Sequence, residues 1–219
     1  GGLELILEGD TISYSYIGMT ISLMQEAGAI VEKENDLIRV KESPYTEKTL
    51  TAEADWSSAS YWFMVAGLHP DAEIILKGLN KKSYQGDSHI TAMFDNLGVR
   101  TAFTPEGLKL TGSEVSLKEF HYDFRNNPDM VQSFVPYCIA KNIPFYFSGC
   151  RSLRIKETDR VRALYNELSK FGVEISFSGD GDLIWWDGKT KPDWNRKVRI
   201  ETYKDHRMAL GLALLSIKS

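Results

Sequence analysis

The sequence predicts an α/β fold, and three observations carry the prediction. A block of amphipathic helix, glycine, strand, turn and strand recurs along the chain. A further helix and strand precede the second and third copies, which makes each repeat a larger supersecondary unit. The composition, 42% hydrophobic and 26% charged over 219 residues, suits a globular chain able to build a substantial core. Helices alternating with short strands over several such units pack as helices beside sheets.

Taken in order, the first copy places a helix through residues 22–27 and a strand at Leu37–Val40. The second has a helix through 92–97 followed by a strand at 107–111, and the third a helix through 163–168 followed by a strand at 183–186. Gly28, Gly98 and Gly172 close these helices at the C-cap, 70 and 74 positions apart. Upstream of the second copy, 58–66 reads as a helix leading to the strand Glu73–Leu76; upstream of the third, 130–140 leads to 145–147. A leading strand is expected before each of these units. A fourth unit begins at 205–210 and is cut off. The polar, Pro-containing stretch 41–48 marks the expected boundary between the first copy and the rest.

Bulk properties exclude several classes. A formal charge of −4 with no extended basic face argues against nucleic-acid binding. The longest apolar run, from Met208 to Ile217, is too short to span a bilayer, and no secretory signal opens the chain. Cys138 and Cys150 lack metal-ligand spacing and point to a reducing compartment, so a cytoplasmic location is expected. His69, His89, His121 and His206 are scattered, and no metal site is expected. The Gly1-Gly2 start without Met and the abrupt end at Ser219 suggest a fragment.

The strongest chemical signal lies between Arg151 and Arg162. Arg151, Arg154, Lys156, Arg160 and Arg162 against Glu157 and Asp159 give a local +3 inside an acidic chain. Such a concentration is costly unless an anion sits against it, and phosphate or carboxylate suits Arg and Lys best. Glu157, amid those bases, is placed to exchange protons with whatever they hold. Val161, Leu164, Leu168 and Phe171 predict a helix over 157–170, with Lys156 and Arg160 over one face near its positive N-terminus. The bland alternative is a solvated helix start whose charges balance. Arg207, on the first turn of the last apolar helix, offers a second arginine, with Asp205 as that helix's cap. Asp129 follows Pro128 where an N-cap or first-turn acid belongs, and capping is its better account on the residues alone. The small polar runs 53–61 and 83–87 also read as helix entries.

Asp55-x-Ser57-Ser58-Ala59-Ser60-Tyr61, Ser83-x-Gln85-Gly86-Asp87, Pro128-Asp129, Leu153-Arg154-Ile155-Lys156-Glu157-Thr158-Asp159-Arg160 and Asp205-His206-Arg207-Met208-Ala209, in this order, resemble the motifs of the enolpyruvyl transferases. Within that family the resemblance is to the 5-enolpyruvylshikimate-3-phosphate synthases. It covers the whole chain but only the C-terminal half of the family's length, minus its last stretch. It implies an inside-out α/β enolpyruvyl transferase fold built from repeated βαβαββ units, present here in part. Residues 1–50 would be the last unit of a first, incomplete domain; 51–219 would be most of a second, two units plus the start of a third.

The resemblance further implies transfer of the enolpyruvyl group of phosphoenolpyruvate to the 5-hydroxyl of shikimate 3-phosphate, with release of phosphate. No metal or organic cofactor is implied, and a monomer is expected. By motif, Asp129 is the general base beside the 5-hydroxyl and Glu157 handles the proton at the phosphoenolpyruvate methylene carbon. Lys156 contacts the sugar phosphate, as does Ser152, which stands where an Asn is common in the family. Arg160 and Arg207 clamp phosphoenolpyruvate. Ala54 and Trp56 depart from the family's usual Gly and smaller residue. The family's N-terminal lysine and arginines, its serine-rich phosphate site and a C-terminal lysine have no counterpart here, so the chain alone is expected to be inactive. Two other readings compete: the related transferase acting on UDP-N-acetylglucosamine, which lacks the Lys-Glu-Thr-Asp-Arg string, and a non-catalytic anion-binding domain of the same fold. Intact Asp129, Glu157, Arg160 and Arg207 argue against the latter.

Overall fold

A computed structural model describes residues 2–9 and 11–218. Gly1 and Ser219, on which the expectation of a fragment partly rests, lie outside the described residues. The first block comprises β1 (Leu3–Ile6), α1 (Tyr14–Glu26), β2 (Val31–Glu34) and β3 (Leu37–Val40). Helix α2 (Trp56–Leu68) leads into the second: β4 (Glu73–Leu76), α3 (Ile90–Asp95), β5 (Val99–Thr104) and β6 (Gly107–Gly112). Strand β7 (Phe120–Asp123) and α4 (Val131–Ala140) precede the third: β8 (Phe145–Ser148), α5 (Arg160–Ser169), β9 (Ser176–Phe177) and β10 (Ile184–Trp186). Helix α6 (His206–Ala213) lies after the third block.

The three sheets share one order. In each block the first strand pairs antiparallel with the last, and the last with the middle one, giving β1-β3-β2, β4-β6-β5 and β8-β10-β9. Strand β7 adds to the third sheet, parallel to β8. The recurrence in the sequence is therefore a recurrence of topology. Each block turns at a glycine after its helix: Gly28, Gly98 and Gly172 have φ of +95°, +97° and +84°, a region that a side chain disfavours.

Two expectations need correction. A leading strand is present before α4 but not before α2, where residues 41–55 carry no regular secondary structure. There the backbone makes scattered bonds, from Lys41 N–H to the Ile30 carbonyl (2.9 Å), Thr46 N–H to Ala27 (2.9 Å) and Ala54 N–H to Gly78 (2.8 Å), instead of a ladder. The helix expected over 157–170 begins at Arg160, because the Asp159 carboxylate caps it by accepting from the Arg162 N–H (3.0 Å). Residues Arg151–Ile155 form a separate 3-10 turn, so Lys156 is not on a helical face with Arg160.

Helices α2 and α4 are apolar nearly all round, a pattern that buries a helix on every side. All ten residues of α4 are buried, as are Met208, Gly211 and Leu212 of α6. Close packing of α4 on α6 depends on Gly211, where a Cβ would lie 2.2 Å from the Gln132 carbonyl oxygen. Phe94 of α3 closes this core, its ring centroid 5.3 Å from Phe63, 4.9 Å from Phe134 and 4.9 Å from Tyr137. Helices thus occupy the centre and sheets the outside, which is the inside-out arrangement. No helix among the described residues is long and apolar enough to cross a membrane.

Candidate active site

Three helix entries deliver the charged residues. Asp129 lies in the 3-10 turn Pro128–Met130 ahead of α4, Arg160 is the first residue of α5, and Asp205 caps α6. Burying helices side by side brings these entries together at one end of the core.

Arg160 sits at the centre, its side chain 1% exposed. Its Nε donates to Asp205 Oδ2 (2.7 Å), one terminal nitrogen to Asp129 Oδ1 (2.9 Å), and the other to Glu157 Oε2 (2.6 Å) and Asp205 Oδ1 (3.3 Å). The Asp205 carboxylate also accepts from the backbone N–H of Arg207 (2.9 Å) and Met208 (3.4 Å). Burial alone would push the Asp205 carboxyl up, but Arg160 and these N–H groups outweigh it and hold the group below the usual carboxylate range.

Asp129 does not cap its helix. Besides Arg160, it faces Lys156 Nζ at 3.5 Å and an Arg207 terminal nitrogen at 3.4 Å, one carboxylate among three cations. Burial would lower the Arg207 pKa; Asp129 first, then Tyr61, Tyr16 and Asp55, reverse that and raise it. The polar groups grade from a buried floor to an open rim. Asp205 and Arg160 are buried, Arg207 and Asp129 are 13% and 14% exposed, and Lys156 and Glu157 reach 30% and 49%.

The local +3 between Arg151 and Arg162 is answered mostly within the chain. Arg151 pairs with Asp180 (2.8 Å) and Arg154 with Asp159 (3.1 Å), both near the surface, while Arg162 lies over the Tyr165 ring at 5.7 Å. Of the residues singled out in the sequence, Asp129, Lys156, Glu157, Arg160 and Arg207 meet in one cluster. Ser152 lies in the 3-10 turn before Lys156, and its Oγ is buried with no hydrogen-bond partner among the described residues.

Beside the cluster, a cavity of about 270 Å³ is lined by Ser15, Tyr16, Met19, Glu53, Asp55, Gln85, Gly86 and Asp87. The two runs read as caps interlock here. Asp55 caps α2, accepting from Ser57 N–H (2.9 Å) and Ser58 Oγ (2.6 Å). Glu53 accepts from the Trp56 indole (2.7 Å) and Ser83 Oγ (2.6 Å), and Gln85 accepts from Trp56 N–H (3.0 Å). Trp56, bulky for its motif, is absorbed by this knot and by the core. Asp87 is buried, accepts from Asn127 Nδ2 (2.8 Å), and has its carboxyl pushed up by burial.

Two tyrosines stand at the site that the sequence assigns no chemical role. Tyr16 of α1 borders the cavity; burial, then the charges of Asp87 and Asp129, push its phenol up to about 12. Tyr61 of α2 is buried, and its hydroxyl lies beside Arg207 with no hydrogen-bond partner among the described residues. Nothing local in 14–20 marks Tyr16, since its neighbours at the site come from other elements. Tyr61 closes the motif run 55–61, but its helical register alone reads as core.

Repeated strand–helix–strand–strand blocks around buried helices, with polar entries gathered at one end, define the enolpyruvyl transferase fold. Solved structures share it. EPSP synthase from Acinetobacter baumannii superposes with a TM-score of 0.70 at 17% identity, over 99% of this chain and 50% of that one. The enolpyruvyl transferase NikO from Streptomyces tendae gives 0.58 at 14% identity, over 99% and 49%. Within that fold class, the chain belongs to the EPSP synthase (3-phosphoshikimate 1-carboxyvinyltransferase) family, whose model matches residues 1–219. The 3-phosphoshikimate 1-carboxyvinyltransferase of Bacteroides fragilis is 42% identical over 217 residues, which is 99% of this chain and 52% of that protein. That of Cellvibrio japonicus is 31% identical over 97% and 49%. The chain spans about half the length of the curated relatives it matches.

Proposed function

We propose that the chain forms one wall of an active site that transfers the enolpyruvyl group of phosphoenolpyruvate to the 5-hydroxyl of shikimate 3-phosphate. In this reaction the hydroxyl oxygen bonds to C2 of phosphoenolpyruvate while C3 takes a proton. The tetrahedral adduct then loses inorganic phosphate from C2 and a proton from C3, restoring the double bond. Two proton-handling groups and several cations are what such an adduct needs. Asp129 takes the proton of the 5-hydroxyl, and Glu157, at the open rim, moves the proton at C3. Lys156 meets the sugar phosphate, and Ser152, whose Oγ is buried, is assigned beside it by its place in the motif. Arg207 and the outer edge of Arg160 hold phosphoenolpyruvate, with Asp205 anchoring Arg160 from behind. No metal or cofactor enters these steps.

The observation that supports this reading is the convergence of Asp129, Lys156, Glu157, Arg160 and Arg207, from three separate segments, at one end of the helical core. Residues 1–50 are assigned to one domain and 51–219 to a second, with the cavity beside Tyr16 between them. A cytoplasmic monomer completes the proposal.

The test is a chimera in which the remainder of the Bacteroides fragilis relative completes the chain. Asp129→Asn and Glu157→Gln should each lower kcat at least about a hundredfold, the scale of a lost general acid or base. Unchanged kcat in both variants would remove these residues from the chemistry.

A further inference from the structure

Glu167 is a buried carboxylate that the proposed reaction leaves unused. It lies on α5, seven residues beyond Arg160, with its side chain 1% exposed. Its oxygens accept from Tyr203 Oη (2.7 Å), Lys170 Nζ (2.6 Å) and the backbone N–H of Glu201 (2.9 Å). Lys170 Nζ also donates to the Arg199 carbonyl (2.9 Å), so the strap 199–203 is tied to α5 at several points. The strap ends in a strained turn: Tyr203 and Lys204 both have φ of +56°, and neither is glycine. Consecutive left-handed residues of this kind persist only where the surroundings hold them. The next residue is Asp205, which grips Arg160 and caps the helix carrying Arg207.

These contacts close a ring. Helix α5 supplies Arg160 at its start and Glu167 two turns later, and the strap joins them through Tyr203, Lys204 and Asp205. We propose that Glu167 is a positioning residue: by holding the left-handed turn at Tyr203 and Lys204, it fixes Asp205 against Arg160 and aims Arg207 into the site. The link to phosphoenolpyruvate rests on the function proposed above; the link to Arg160 does not.

Nuclear magnetic resonance on the 219-residue chain reads the second link directly, through hydrogen exchange of the Arg160 Nε–H, assigned by its loss in Arg160→Lys. Tyr203→Phe removes one hydroxyl and should speed that exchange about three- to tenfold, the scale of one lost hydrogen bond. Glu167→Ala should speed it more than about tenfold, since charge-assisted bonds are lost. Glu201→Ala, which keeps the backbone N–H, should leave it unchanged. In the chimera, Tyr203→Phe should raise KM for phosphoenolpyruvate about three- to tenfold while KM for shikimate 3-phosphate stays level. Unaltered Arg160 exchange in Tyr203→Phe would overturn the proposal, as would a fall in kcat with both KM values intact. Faster exchange in a chimera without turnover would leave the clamp standing and refute the proposed reaction instead.

Discussion

The first block and the second share one topology but differ sharply in what they bury. In residues 2–50 helix α1 has no buried residue, every residue of β1 is exposed, and only Val31 and Ile38 count among the buried apolar side chains. In 51–218 the same strand–helix–strand–strand block closes onto α2, α4 and α6, and Phe94 of its helix is fully buried. The difference lies in the neighbours. A block of this kind has one outward sheet and one helix, and it buries its faces only when helices from adjacent units stack in the middle. The charged cluster follows from the same stacking, because adjacent helix entries bring Asp129, Arg160 and Asp205 together. Core and charged cluster therefore have one cause in the second region, and the first region contributes Tyr16 to the neighbouring cavity.

Breaking the central stack should cost most. Phe94→Ala is expected to lower stability by about 4 kcal/mol in urea unfolding, as for large aromatic truncations in a core. Asp205→Asn comes next, at about 3 kcal/mol near neutral pH, because it leaves Arg160 buried without its main partner. Its sign with pH is fixed by the depressed Asp205 pKa. The carboxylate stabilises above its ordinary unfolded pKa of about 4, and that contribution fades as pH falls through the lower folded value. The gap between wild type and Asp205→Asn should accordingly close in acid, and a gap constant with pH would contradict the pairing. Gly211→Ala forces a methyl against the Gln132 carbonyl and should cost about 2 kcal/mol by overpacking α4 on α6. Smallest of all, Leu23→Ala on α1, where the side chain is 41% exposed, should stay within about 0.5 kcal/mol. Equal losses for Phe94→Ala and Leu23→Ala would erase the contrast between the regions.

Much of this was legible in the sequence because it is local. The strands Leu37–Val40 and Glu73–Leu76 and the closing glycines Gly28, Gly98 and Gly172 stand where periodicity and turn chemistry put them. The late start of α5 is not legible there, because the spacing of Val161, Leu164, Leu168 and Phe171 sets the helix's buried face but not its first residue, which the Asp159 cap fixes. Long-range pairing was out of reach. The partners that bury Arg160 come from 31 and 45 residues away, so the arginine at the centre of a run that reads as waiting for an anion is already held by Asp129 and Asp205. Asp129 reads as a cap for the same reason: its three cations lie on later segments. The knot of Glu53, Trp56, Ser83 and Gln85 likewise joins two runs that look independent along the chain.

The most direct test of one wall in a two-walled site is phosphate release from phosphoenolpyruvate in the presence of shikimate 3-phosphate. It should be absent with the 219-residue chain alone and appear, dependent on both substrates, in the chimera completed from the Bacteroides fragilis relative. Detectable release by the 219-residue chain alone, dependent on both substrates, would contradict the account.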